Sequence, residues 1–161
     1  MKNATLAAIA AAMLACAAPA LAAGSLTTQD YIEIEQLYAA YNMAIDSGDA
    51  KAWAATFTPD GSFNRFTGKE ALEGFINQWR DKMNGGGRRH FNSNLRIVPS
   101  AEGANGSVYL MLVDVNAKTF TTASYADTLV KTAEGWRFKT RVTKADAPPA
   151  AAAPAPAAPK P

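Results

Sequence analysis

The chain has one cysteine, Cys16, and one histidine, His90. Cys16 falls in an apolar N-terminal stretch, so the segment able to fold carries no thiol. That excludes disulfides, cysteine zinc sites and a cysteine nucleophile. A single histidine without a companion cluster leaves no metal-ligand pattern. Charge is sparse as well: 19% of residues are charged and the formal net charge is +2. Lys and Arg are scattered instead of striped, which is not the footprint of a nucleic-acid binder. The run Gly85-Gly86-Gly87 is not followed by Lys-Ser or Lys-Thr and makes no phosphate loop. No nicotinamide or flavin motif and no internal repeat is present. What remains, at 48% hydrophobic over 161 residues, is enough for one domain with a core.

Both ends read differently from the middle. Lys2, the Ala-rich stretch Leu6 to Ala18 and Ala20-Leu21-Ala22 have the order of a secretory signal peptide over 1–22, which predicts export, to a periplasm, with a mature start near Ala23. The alternative is lipoprotein processing, since Met13-Leu14-Ala15-Cys16 loosely resembles a lipobox and would anchor the chain through Cys16. Residues 146–161 are almost wholly Ala and Pro, cannot bury a core and read as an extended, disordered tail. The folding unit is then 26–144.

Within it, helices come first. Thr27 with Asp30 three residues on is a variant capping box, and Ile34, Leu37, Tyr38, Tyr41 and Ile45 recur at helical spacing until Gly48. A short helix is expected over Ala50 to Phe57, a turn at Thr58-Pro59-Asp60-Gly61, a brief strand to Phe66, and a third helix over Lys69 to Met83. From Arg88 onward the pattern is strand: Arg88 to Val98, Ser107 to Val115, Lys118 to Lys131 and Trp136 to Thr143, with hairpin turns at Gly103 to Gly106 and Glu134-Gly135. Three helices followed by long antiparallel strands is an α+β pattern, with helices on one face of a sheet that bends around one pocket.

Few residues could carry chemistry. On the strand from Arg88, alternation puts His90, Asn92, Asn94 and Arg96 on one face and Phe91, Leu95 and Ile97 on the other. The polar face is either wet or the lining of a polar cavity. Asp46 ends the first helix, where a negative charge gains nothing from the macrodipole, and it lies about 140° around the axis from Tyr41. Read alone, it is a solvated turn residue or a site residue. Tyr41 lies on the apolar stripe, as a core tyrosine or a donor. Arg141 falls with Arg137 and Lys139 on one side of the last strand, opposite Trp136, Phe138 and Val142.

Taken together the pieces resemble one family. Leu37-Tyr38-x-x-Tyr41-x-x-x-Ile45-Asp46-x-Gly48-Asp49, Phe57-Thr58-Pro59-Asp60-Gly61, Gly68-Lys69-Glu70-Ala71-Leu72, Arg89-His90-Phe91-x-x-Asn94, Tyr125-x-Asp127 and Gly135-Trp136-Arg137-Phe138 look like a SnoaL-like domain of the nuclear transport factor 2 superfamily. The pattern is most similar to the branch holding scytalone dehydratase, bile-acid 7α-dehydratase and hexachlorocyclohexane dehydrochlorinase. The resemblance spans Leu26 to Thr143 and implies a cone: a strongly curved antiparallel sheet wrapped over three helices.

It also implies roles. The family's histidine-aspartate dyad falls on His90 and Asp46, and the dehydratases' helix tyrosine on Tyr41. The implied substrate-binding set is Arg141, Asn94, Ser124 and Tyr125 with the apolar Trp53, Phe57 and Phe63. The implied activity is a cofactor-free, metal-free lyase expelling water or halide from a small, largely apolar molecule, with activity rising with pH as His90 loses its proton. Two departures matter: the scytalone branch's second histidine falls near Leu110, and its asparagine near Ala126. The steroid isomerases' aspartate base would fall on Arg65. The rival expectation is a non-catalytic ligand-binding or interaction module of the same fold. A homodimer through the outer face of the sheet is implied by the resemblance alone, and no nucleic-acid partner or transmembrane segment is expected of the mature chain.

Overall fold

The computed structural model describes residues 25–82 and 87–146. The expected signal peptide with Cys16, residues 83–86 and nearly all of the Ala/Pro tail lie outside the described residues. Helix α1, Thr28–Ser47, opens on the capping box: the Thr27 hydroxyl accepts from the Asp30 N–H while the Asp30 carboxylate accepts from the Thr27 N–H. It closes on Gly48, whose φ of 70° is left-handed and so suits glycine. α2, Ala50–Ala54, is capped by Asp49. Strands β1, Phe57–Phe63, and β2, Phe66–Thr67, precede α3, Lys69–Lys82. Four long strands follow: β3, Arg88–Ser100; β4, Gly103–Asp114; β5, Thr119–Thr132; and β6, Gly135–Ala145.

The six strands form one open sheet in the order β2-β1-β6-β5-β4-β3. Every neighbouring pair is antiparallel except β1 and β6, which run parallel. The helices pack on the inner face over Ile34, Leu37, Tyr41, Trp53, Leu72, Ile76, Leu129 and Phe138. No helix among the described residues is long and apolar enough to cross a membrane.

Five expectations change. The second helix stops at Ala54 and Phe57 already belongs to β1. The expected Thr58–Gly61 turn is a hump inside that strand, where the register against β6 jumps between Phe57 and Ser62. The β3–β4 turn sits at residues 101–102, so Gly103 starts a strand. The other two changes come from β-bulges. On β3 one extra residue lies between Ser93 and Arg96, with Asn94 at a φ of 57°. A bulge swaps the faces beyond it: Leu95 and Ile97 join the inner face used by His90 and Asn92, whereas Phe91, Asn94 and Arg96 are exposed. On β6 one extra residue lies between Phe138 and Thr140. Arg141 thereby turns inward with Trp136 and Phe138, and Val142 is 49% exposed on the outside.

Candidate functional site

His90 comes inward near the start of β3, and Asp46 reaches it from the last turn of α1. The imidazole Nδ1 lies 2.6 Å from Asp46 Oδ1, with the histidine side chain 3% exposed and the aspartate 15%. The His90 backbone N–H also donates to both carboxylate oxygens, at 3.2 and 3.1 Å. Asp46 therefore grips the strand as well as the ring. A carboxylate at a helix C-terminus is disfavoured by the macrodipole, and here its compensation comes from β3, not from its own helix. With Nδ1 engaged, Nε2 is the ring nitrogen left for a ligand.

Tyr41 lies deeper, fully buried. Its ring packs against Trp53, Phe57, Tyr125 and Phe138, with centroids 5.3–6.0 Å away. Among the described residues its hydroxyl makes no hydrogen bond of good geometry, although Arg141 and Tyr125 lie near enough to act on it. Burial pushes the phenol well above its ordinary pKa, so Tyr41 is a neutral donor. Tyr125 is pushed up to about 12 by burial, against the opposing pull of Arg141.

Arg141 is fully buried and its charge is balanced by Asp127. Nε donates to Asp127 Oδ1 and Nη2 to Oδ2, both at 2.8 Å, and the Tyr38 hydroxyl donates to the same Oδ2. The guanidinium carbon sits 4.0–4.6 Å from the ring centroids of Tyr38, Tyr41, Tyr125 and Phe138. Burial works to lower the Arg141 pKa, but the hydrogen bonds and charge of Asp127 overcome it, so the guanidinium stays charged. Nη1 alone is left without a partner.

The structure thus brings together His90 with Asp46, and Tyr41 with Arg141, Tyr125, Trp53 and Phe57; Phe63 packs on the far side of Trp53. It separates the other two expected ligand contacts. Ser124 pairs with Tyr109 and Lys144 and faces away from Tyr125, because adjacent strand residues point to opposite faces. Asn94 sits exposed on its bulge, beside a groove of about 360 Å³ between α1 and β3 that Asn42 and Asn92 also line. Sequence reasoning missed Asp127 and Tyr38 as the partners of Arg141. The signal was Asp127 itself, a charged residue two positions from Tyr125 and so on an apolar face. Among the described residues no group of three His, Cys, Asp or Glu could hold a metal.

A family model described as a SnoaL-like domain matches residues 27–142. No curated protein sequence matches the chain. Among solved structures, a protein with a cystatin-like fold from Nostoc punctiforme is 29% identical, covering 76% of this chain and 95% of its own, with a TM-score of 0.69. ActVI-ORFA from Streptomyces coelicolor is 26% identical over 75% of this chain and 98% of its own, at a TM-score of 0.63. A protein from Catenulispora acidiphila, solved in complex with S-DNPA, is 25% identical over 74% and 95%, at a TM-score of 0.65.

Proposed function

The chain belongs to the SnoaL-like domain family, and from that premise we propose that it is an exported, cofactor-independent lyase acting on a small molecule held in the cone, with His90 as the base. The observation that carries the reading is the 2.6 Å contact between His90 Nδ1 and Asp46 Oδ1. Asp46 holds the Nδ1–H tautomer and stabilises the imidazolium that forms when Nε2 accepts a proton from a substrate carbon. The electron pair of the broken C–H bond becomes the new double bond, and the neighbouring carbon releases halide, or hydroxide that takes the proton back from the His90 imidazolium and leaves as water. Tyr41 supplies a hydrogen bond to the departing or polarised oxygen.

General-base catalysis of this kind is worth about 10²- to 10⁴-fold. Candidate molecules are screened by thermal shift, and turnover of the hits is compared in wild type and His90→Ala. A fall of that size is expected; equal turnover overturns the reading.

One observation favours the rival, a binding module of the same fold. The interior beside Tyr41 is filled by packed rings, which keeps its hydroxyl from a reacting oxygen, and a module that does no chemistry needs no such donor. The capture of S-DNPA by the Catenulispora protein supports small-molecule binding under either reading.

A further inference from the structure

Helix α1 and strand β3 lie alongside each other in matched steps. Four residues of helix rise about 6 Å and two residues of strand about 6.8 Å, so side chains four apart on α1 stay level with side chains two apart on β3. The first rung is Asp46 with His90, joined at 2.6 Å. The next is Asn42 with Asn92, and it is not joined. Among the described residues Asn42 Oδ1 and both amide atoms of Asn92 are buried without a hydrogen-bond partner. Exchanging the oxygen and nitrogen of the Asn92 amide would leave both still orphaned. Such groups are rare in folded proteins and ask for an explanation. The two asparagines line the groove of about 360 Å³ between α1 and β3, together with Ser93 and Asn94.

β3 is an outer strand of the sheet. The His90 N–H points to Asp46, away from β4. Asn92 lies two residues on in unbroken register, so its N–H and C=O point to the same free edge. An added peptide strand needs a ladder of several residues there, and the edge does not offer one. Asp46 already occupies the His90 N–H. Beyond Ser93 the register breaks, and Asn94 turns left-handed at a φ of 57°, as in bulges that protect sheet edges. What fits between Asp46 and the bulge is a compact ligand at Asn92.

The chemistry of the groove narrows that ligand further. Among the described residues lining it, Glu35 is the one that carries a charge, so an anion meets repulsion and no cation. The orphaned atoms comprise two acceptor oxygens and one donor nitrogen. A hydrocarbon satisfies none of them, whereas a hydroxyl both gives and accepts at one atom. Adjacent hydroxyls on a ring can serve the oxygen and nitrogen of one carboxamide together.

We propose that the groove between α1 and β3 is a ligand site of its own, which takes a neutral polyhydroxylated ring of the sugar or cyclitol kind through Asn42 and Asn92. It is independent of the cone interior and of the reaction proposed for His90.

The test titrates ¹⁵N-labelled full-length protein with three six-membered rings: myo-inositol, quinate, which carries a carboxylate, and cyclohexanol, which keeps one hydroxyl. Inositol is expected to move the side-chain amide resonances of Asn42 and Asn92. The indole N–H resonances of Trp53 and Trp79, which lie among the interior rings, should stay in place. The expected Kd is about 1 mM, about tenfold tighter than for quinate or cyclohexanol. Asn92→Leu, close in size but without the amide, should weaken inositol binding about tenfold. Asn42→Leu is the second variant if the first does not fold, and the wild-type comparison of the three rings decides if neither does. No movement of the two asparagine amides, equal binding of the three rings, movement of Trp53 and Trp79 instead, or undiminished binding in the leucine variants overturns the proposal. Turnover in His90→Ala is a separate measurement, so the two readings fail independently.

Discussion

Arg141 and Asp127 form a fully buried ion pair, and their energetics are those of a pair that must be kept whole. Desolvating two charges is costly, and breaking such a pair by removing one partner typically costs about 3–5 kcal/mol, because the survivor stays buried and uncompensated. Asp127→Ala should lower stability by about that amount in urea unfolding, and Tyr38→Phe, which removes one hydrogen bond to Asp127, by about 1 kcal/mol. Equal small losses in both variants would contradict the charge pairing. At this scale the sequence was legible where a pattern spans distant segments. His90 and Asp46 are weak singly and become specific only in order and spacing with Tyr41. Asp127 was hidden because nothing local marks a carboxylate as the partner of an arginine 14 residues ahead.

At the scale of elements, α1 is tied to the sheet by its own cap. Asp30 closes the capping box with Thr27 and also accepts from Lys131 Nζ at 2.7 Å and Trp136 Nε1 at 3.0 Å. These bonds, the one from Lys131 foremost, hold the Asp30 carboxyl well below the usual carboxylate range. A depressed folded-state pKa contributes stability that is present above the unfolded value of about 3.9 and lost as pH falls below it. Unfolding free energy in wild type should therefore drop more steeply below about pH 4 than in Asp30→Asn. Parallel acid limbs in the two proteins would contradict this. The capping box could be read directly from Thr27 and Asp30. The faces of β3 and β6 could not, because the alternation argument assumes an unbroken period of two. One inserted residue before Arg96 and another after Phe138 reverse the faces beyond them. That reversal buries Arg141 beside Phe138 and puts Asn94 outside; Asn94 itself, of a residue type that takes a left-handed φ more readily than most, is a weak local hint on β3, and nothing comparable marks the bulge on β6.

For the whole molecule, the order of helices and strands placed the α+β cone, and motif spacing placed the family. The outer face of the sheet was not legible, since its apolar residues read equally well as core. Phe91 and Met111 are register partners there, flanked by Tyr109 and Phe120, and these four are 40–67% exposed. An apolar patch of this kind suits a second copy of the chain packed face to face. We expect a dimer by light scattering that Phe120→Glu shifts to monomer; an unchanged mass would contradict that pairing. The catalytic reading depends on the inner face instead, on a ring poised by Asp46 with Nε2 free. Because the chain has a single histidine, ¹⁵N resonances of the imidazole report that ring alone. With the ring neutral, the account predicts a protonated Nδ1 and a bare Nε2. A protonated Nε2 with a bare Nδ1 would contradict it, since the nitrogen facing the ligand would then have no lone pair with which to take a proton.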